Sequence, residues 1–128
     1  MPKTIPDLSL TGWPPPTNPV SRVVEGAGLV FVSGQAGIKP GESVPVEGGI
    51  AAETQQALEN VGTLLRAVGL DYRDVVKVTV YLADFDDFAG MNDVYRRYFR
   101  EQPPVRFTAG VTRLLNAARL EVEVTAAR

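Results

Sequence analysis

The 128-residue sequence contains no cysteine and no histidine. Without cysteine it can form no disulfide, no thiolate nucleophile and no cysteine-bound zinc site. Without histidine it lacks the commonest transition-metal ligand and the commonest general base near neutral pH, which excludes a Ser-His-Asp triad and an HExxH metal site. Any chemistry must depend on arginine, lysine, carboxylates, hydroxyl groups, the backbone and water, so we expect neither a metal nor an organic cofactor.

Long apolar runs and an excess of positive charge are also missing. No run approaches the roughly 18 apolar residues that suggest a membrane span, and the N-terminal segment MPKTIPDLSL lacks the apolar centre of a signal peptide. We therefore expect no membrane partner and a cytoplasmic location. The net charge of -2 disfavours a nucleic-acid partner, because affinity for phosphate backbones depends on clustered lysine and arginine.

The remaining composition is that of one folded domain. Hydrophobic residues make up 45% of the chain and charged residues 22%, close to the globular average. Prolines crowd residues 1–19, where they disfavour a helix or a central strand. We predict an extended arm over residues 1–19 and a single domain over residues 20–128. Trp13 either docks the arm on the domain or belongs to a mobile segment.

Periodicity predicts the element order β-β-α-β-α-β-β. Two β-rich runs flank the turn Gly26–Gly28, and an amphipathic helix over residues 50–68 ends at Gly69. The alternating run VVKVTVYLA is followed by an aspartate-rich helix start. The buried stripe of this helix, which ends before Pro103, consists of Phe88, Met91, Tyr95 and Phe99. Two alternating strands close the chain. This order predicts an α+β domain with a mixed sheet and two helices on one face.

The helix-free face of that sheet is predicted to be polar. In the strand PPVRFTAG, alternation separates Val105 and Phe107 from Arg106 and Thr108, and we expect the two apolar residues to face the core. The expected polar face then carries Thr79, Tyr81, Arg106, Thr108, Thr112, Glu121 and Glu123. A monomer would leave this face in water, whereas an oligomer would bury it.

Arg106 and Glu121 are the residues with the clearest chemical potential. Arg106 is either a solvated surface charge or a clamp for a carboxylate, whose two oxygens match the paired donors of a guanidinium. Glu121 is either a solvated or cross-strand charge or a general base that orients a water molecule. The residues alone leave both pairs of alternatives open.

The run VSGQAG places Ser33 and Gly34 at the end of a predicted strand. Glycine next to a strand end either forms an ordinary turn or presents backbone N–H groups to a ligand. The run lacks the GxxxxGK[ST] pattern of a phosphate-binding loop.

Five segments together resemble the RidA family, also called YjgF or UK-type proteins. In family order they are LVFVSGQAG, ETQQALENVGTLLRAVGL, DVVKVTVYLADFDDFAGMNDVYRRYF, PPVRFTAGVTRL and LEVEVTA. The resemblance implies a chorismate-mutase-like subunit that assembles as a homotrimer with clefts between subunits. It also implies hydrolysis of reactive enamine or imine intermediates to 2-keto acids and ammonia, a metabolite detoxification of the 2-iminobutanoate/2-iminopropanoate deaminase type.

The same resemblance assigns roles to six residues. Arg106, in the family motif P-x-R, would hold the substrate carboxylate in an intersubunit cleft, and Glu121 would position water as the second catalytic residue. Ser33 and Gly34 match the family's SGQ segment, Asn92 matches its helix asparagine, and with Thr108 they would contact the substrate.

Three positions differ from the usual family pattern and indicate a divergent subgroup. Val20 stands where active members commonly have tyrosine, Thr108 where cysteine is frequent, and Phe107 where a small residue is usual. Two alternative functions are a noncatalytic module that binds small carboxylates and an endoribonuclease, the latter disfavoured by the acidic balance.

Overall fold

A computed structural model describes residues 2–128. The strands are β1 (Val23–Gly26), β2 (Leu29–Ala36), β3 (Val75–Leu82), β4 (Val105–Gly110) and β5 (Leu120–Ala127); the helices are α1 (Gly49–Ala67) and α2 (Phe88–Tyr98). This confirms the predicted order β-β-α-β-α-β-β. No helix within residues 2–128 combines the length and hydrophobicity needed to cross a membrane.

The five strands form one mixed sheet in the order β1-β2-β5-β3-β4. Strands β3 and β4 are parallel and are connected through α2, whereas the other neighbouring pairs are antiparallel. A parallel pair needs such a crossover because the chain must return to the starting edge of the sheet. The α+β class and the mixed sheet are therefore confirmed.

The core lies between the sheet and the two helices. Alternate residues of β2, β3 and β5 point towards it because successive side chains of a strand face opposite sides. The fully buried members include Val30, Val80, Leu120 and Val122 from the strands and Leu58, Leu64 and Met91 from the helices. Gly69 follows the C-terminus of α1, and its φ of +81° is the left-handed conformation expected after a helix.

The face assignment predicted for β4 was wrong. Val78 pairs with Arg106 and Val80 pairs with Thr108, and paired residues share a face. Because Val78 and Val80 are fully buried against the helices, Arg106 and Thr108 also lie on the helix side. The apolar residues Val105 and Phe107 face away from the helices and are 69% and 61% exposed.

The physical reason is the position of β4 at the edge of the sheet. An edge strand pairs on one side only, and in this chain the helix layer approaches β4 with polar as well as apolar groups. The Arg106 guanidinium finds a hydrogen-bond acceptor and two aromatic rings on α2. Alternation fixes which residues share a face, but it does not say which face is covered.

The N-terminal arm lies against the first strand. Thr4 exchanges two backbone hydrogen bonds of 2.8 Å with Glu25 of β1. After a short 3-10 turn over Ser9–Thr11, Trp13 packs against the edge of the core. The Arg22 guanidinium carbon lies 5.3 Å from the centre of the Trp13 ring, so the arm contacts β1 through Thr4 and the residue that precedes β1 through Trp13.

Candidate functional site

Arg106 is held by side chains of α2. Its Nη1 donates a 2.7 Å hydrogen bond to Oδ1 of Asn92. Its guanidinium carbon lies 4.6 Å from the ring centre of Tyr95 and 5.6 Å from that of Phe88, distances at which a cation is attracted to an aromatic face. One amide and two rings therefore fix the position of the charge.

The contacts with α2 leave much of the Arg106 guanidinium free to bind a ligand. Among residues 2–128, no carboxylate lies within 4.0 Å of Arg106. A guanidinium has five N–H donors; Nη1 bonds to Asn92 and makes a 4.0 Å contact with the Met91 sulfur, which leaves the donors of Nε and Nη2. Arg106, Asn92 and Tyr95 line an open cavity of about 700 Å³, called here the arginine pocket. This arrangement suits a planar anion such as a carboxylate.

Tyr95 contributes to the arginine pocket as a neutral ring. The residue is buried, and its hydroxyl makes no hydrogen bond to the part of the chain that the structure describes. Burial raises the pKa of Tyr95 to about 12, and the nearby Arg106 charge only partly opposes this effect. Tyr95 therefore stays protonated at neutral pH and presents its π face to the arginine.

Glu121 lies in a different cavity. It pairs with Tyr81 of β3 and with Ala36 of β2, and it points away from the core because its neighbours Leu120 and Val122 are buried. Burial, and secondly the negative charge of Glu123, raise the pKa of the Glu121 carboxyl. A carboxylate with a raised pKa is a better proton acceptor near neutral pH than an ordinary one.

A β-bulge brings Gly34, which follows Ser33, against Glu121. The pairing of β2 with β5 shifts between Val32 and Gln35, and such bulges redirect side chains and backbone near functional sites. A Cβ atom at Gly34 would collide with the Glu121 carboxylate, so any other residue here would displace that carboxylate from its present position. Gln35 donates weak hydrogen bonds of 3.3 and 3.4 Å to the Ser33 carbonyl and hydroxyl oxygens.

The cavity around Glu121 has a volume of about 560 Å³ and is called here the glutamate pocket. It is lined by Gly34, Gln35 and Glu121, by Trp13 and Val20 of the N-terminal segment, and by Arg22. Within residues 2–128, no group of three or more carboxylates is arranged to hold a metal ion.

The predicted site residues therefore form two groups. Arg106, Asn92 and Thr108 lie on the helix side of the sheet, whereas Glu121 lies on the opposite side with the Ser33–Gly34 bulge. The arginine pocket and the glutamate pocket do not share a lining residue. Within one chain, the two groups cannot contact the same small molecule.

Sequence reasoning missed the aromatic support of Arg106. It assigned Phe88 and Tyr95 only to the buried stripe of α2. The available signal was Asn92, which follows Phe88 by four residues and precedes Tyr95 by three. Residues at these spacings share a helix face. An amide on the same face as two aromatic rings therefore predicted that this face contacts a polar or charged group.

Comparisons with known proteins identify the family. The family model described as Endoribonuclease L-PSP matches residues 12–128. A mouse 2-iminobutanoate/2-iminopropanoate deaminase is 39% identical over 119 residues, 93% of this chain and 88% of that protein. A RutC family protein of Pyrococcus horikoshii is 42% identical over 113 residues, 88% of this chain and 90% of that protein.

Solved structures agree with the sequence comparisons. The crystal structure of E. coli TdcF with bound serine aligns with a TM-score of 0.82 at 32% identity and covers 92% of this chain and 94% of that one. Both the fold and the sequence thus match over nearly the whole length. The chain belongs to the RidA (YjgF) family, whose model bears the description Endoribonuclease L-PSP.

Proposed function

We propose that this protein hydrolyses reactive 2-imino acids to 2-keto acids and ammonia, as a deaminase of the 2-iminobutanoate/2-iminopropanoate type. The observation that carries the proposal is the preorganised Arg106, which is fixed by Asn92 and two aromatic rings and has no carboxylate partner among the described residues. Relatives at about 40% identity that are named imine deaminases support the same activity.

In this proposal Arg106 binds the substrate carboxylate through charge-assisted hydrogen bonds. Glu121 accepts a proton from water, whose oxygen attacks the imine carbon. The carbon–nitrogen bond then breaks, and nitrogen leaves as ammonia after proton transfer. Backbone groups of the Ser33–Gly34 bulge and of Thr108 orient the imine. An imine is already electrophilic, so positioning and one acid–base group suffice.

Because Arg106 and Glu121 lie on opposite sides of one sheet, we propose that each complete site combines two subunits. The arginine pocket of one copy would face the glutamate pocket of the next in a homotrimer. The exposed apolar side chains Phe31, Val105 and Phe107 on the helix-free side favour such an assembly, since exposed apolar patches commonly mark interfaces. A closed ring of three copies would create three equivalent sites.

The first experiment compares Arg106→Ala with wild type on imines generated in situ from several amino acids. We expect Arg106→Ala to reduce kcat/KM by at least about a hundredfold, because the substrate carboxylate loses its charged partner. Arg113→Ala, which removes an exposed arginine beyond β4, serves as the charge-matched control. Equal activity of Arg106→Ala and wild type would disprove the clamp.

A noncatalytic module for small carboxylates is the second candidate. Val20 offers no phenol to the glutamate pocket that it lines, and a structural relative, E. coli TdcF, was crystallised with bound serine. Calorimetric binding of 2-keto acids that requires Arg106, in a protein that hydrolyses no imine, would favour this module over the deaminase.

A further inference from the structure

Arg22 is a second cation with available hydrogen-bond donors, and it lies in the glutamate pocket. Its guanidinium is placed over the Trp13 ring at 5.3 Å from the ring centre. No carboxylate in residues 2–128 lies within 4.0 Å of it. A cation–π contact holds a charge without supplying a hydrogen-bond acceptor, so the N–H donors of the guanidinium stay available to a ligand.

The backbone of Arg22 is fixed beside the bulge that carries Gly34. The Arg22 carbonyl accepts a 2.8 Å hydrogen bond from the Ser33 N–H. Arg22 immediately precedes β1, and its side chain lines the same cavity as Glu121. The backbone hydrogen bond with Ser33 and the cation–π contact with Trp13 thus both hold Arg22 on the wall of this cavity.

Arg22 is better placed to bind an anion than any other residue that lines the glutamate pocket. The cavity has two cationic side chains, Arg22 and Lys39. Lys39 is exposed and has no aromatic partner among the described contacts, so its flexible stem must be ordered when it binds. Val20 adds only an apolar surface to the same wall.

We propose that Arg22 binds a second anionic group, at the side-chain end of the substrate, and that the preferred substrates are imines of dicarboxylic amino acids. This inference rests on the proposed deaminase function. Arg106 would hold the carboxylate next to the imine carbon, Glu121 would activate water, and Arg22 would hold the distal carboxylate. The imine and one water molecule give the 2-keto dicarboxylate and ammonia, with no further reactant.

The test compares two imines of equal chain length. 2-Iminoglutarate, generated from glutamate by glutamate oxidase, has a distal carboxylate; 2-iminopentanoate, generated from norvaline by an amino-acid oxidase, has a methyl group there. We expect the wild-type kcat/KM to be at least about tenfold higher for the dicarboxylic imine. Arg22→Gln should reduce this ratio to near one, and Arg22→Lys should retain part of it.

Two matched variants separate a specific contact from a general charge effect. Lys39→Gln removes the other cation of the same cavity, and Arg73→Gln removes an exposed arginine outside it; both should keep the wild-type ratio. The proposal is overturned if wild type does not prefer the dicarboxylic imine, or if Lys39→Gln lowers the ratio as much as Arg22→Gln does.

Binding measurements distinguish failure of this inference from failure of the deaminase function. If neither imine is hydrolysed, the proposed function is wrong, and titration calorimetry with 2-oxoglutarate and 2-oxopentanoate still tests Arg22. Tighter binding of 2-oxoglutarate that disappears in Arg22→Gln supports the distal anion site. Equal binding of the two keto acids, or no binding of either, overturns it.

Discussion

Arg106 illustrates how one side chain is prepared for a ligand before the ligand arrives. Asn92 fixes one nitrogen of the guanidinium, and Tyr95 and Phe88 provide π faces that need no further donors. The cost of ordering a long arginine side chain is therefore met in the folded protein and not during binding. Asn92 is a positioning residue in this scheme.

Asn92→Ala tests that positioning. Loss of the 2.7 Å hydrogen bond should leave the charge in place but allow it to move, so we expect KM to rise by about tenfold and kcat to change less. Steady-state kinetics with an imine substrate measure both parameters. Gln55→Ala, which removes an exposed amide of α1 outside the arginine pocket, is the control; a similar rise in KM in that variant would contradict the assignment.

Glu121 gives a second prediction at the residue scale, through its pKa. As a base it must be ionised, so activity should fall as the pH drops through its raised pKa. Glu123→Gln removes the negative charge that contributes to this shift, which lowers the pKa of Glu121 and should move the acidic limb of the kcat/KM profile to lower pH. An acidic limb that stays in place would argue against Glu121 as the base.

The β2 bulge and helix α1 show how glycine serves contacts between elements. Gly62 lies inside α1, where alanine would favour the helix by about 1 kcal/mol. The Tyr72 hydroxyl, which donates a 2.7 Å hydrogen bond to the Leu58 carbonyl, lies where a Cβ atom at Gly62 would be. The ring of Tyr72 also packs edge-on against Tyr98 and Phe99, which limits its freedom to move.

Gly62→Ala should therefore destabilise the protein despite its higher helix propensity. Overpacking of this kind costs about 1–3 kcal/mol in the free energy of unfolding. In a Tyr72→Ala background, the same substitution should instead stabilise the fold, because only the helix propensity remains. Denaturant unfolding of the four proteins measures both effects, and the same sign in both backgrounds would contradict the steric explanation.

At the scale of the whole molecule, the separation of the arginine pocket from the glutamate pocket is the feature with most consequence. Each pocket is built around one of the two proposed catalytic residues, and the sheet stands between them. A chain that places its two proposed catalytic residues on opposite sides of a sheet needs a second copy to complete a site. A substitution that prevents assembly is then expected to abolish imine hydrolysis as well.

Mixing two inactive variants tests the shared site. Arg106→Ala and Glu121→Gln should each be inactive alone. The two variants are unfolded together in equal amounts and refolded. About three in four random trimers then contain both variants, and each mixed trimer has one intact site of its three. The mixture should therefore regain about a quarter of the wild-type activity. The kcat of the mixture shows whether activity is regained. If mixed trimers form but no activity returns, each site lies within one subunit.

The exposed apolar residues on the helix-free side provide a separate test of the assembly. Phe107→Glu places a charge on an exposed position of β4 without touching Arg106 or Glu121, and burial of an unpaired charge at an interface is costly. We expect a monomer by light scattering, with a native circular dichroism spectrum and little imine hydrolysis. A Phe107→Glu trimer would show that this surface is not the interface.

The sequence by itself determined the order of the elements, the exclusion of histidine and cysteine chemistry, and the pairs of residues that share a face. These properties follow from local rules: the absence of a residue type, the periods of helix and strand, and turn chemistry at glycine. Alternation correctly separated Arg106 from Phe107 and Glu121 from Val122. The segments that resemble the RidA family were also visible without coordinates.

Only the tertiary structure decided which face of β4 meets the helices. Alternation has a period of two and is unchanged when both faces are exchanged, so the pairing of Val78 with Arg106 was needed to choose. The same holds for the Arg22–Trp13 stack and the Gly34–Glu121 approach. Contacts between residues far apart in sequence depend on how the elements pack, which no local pattern contains.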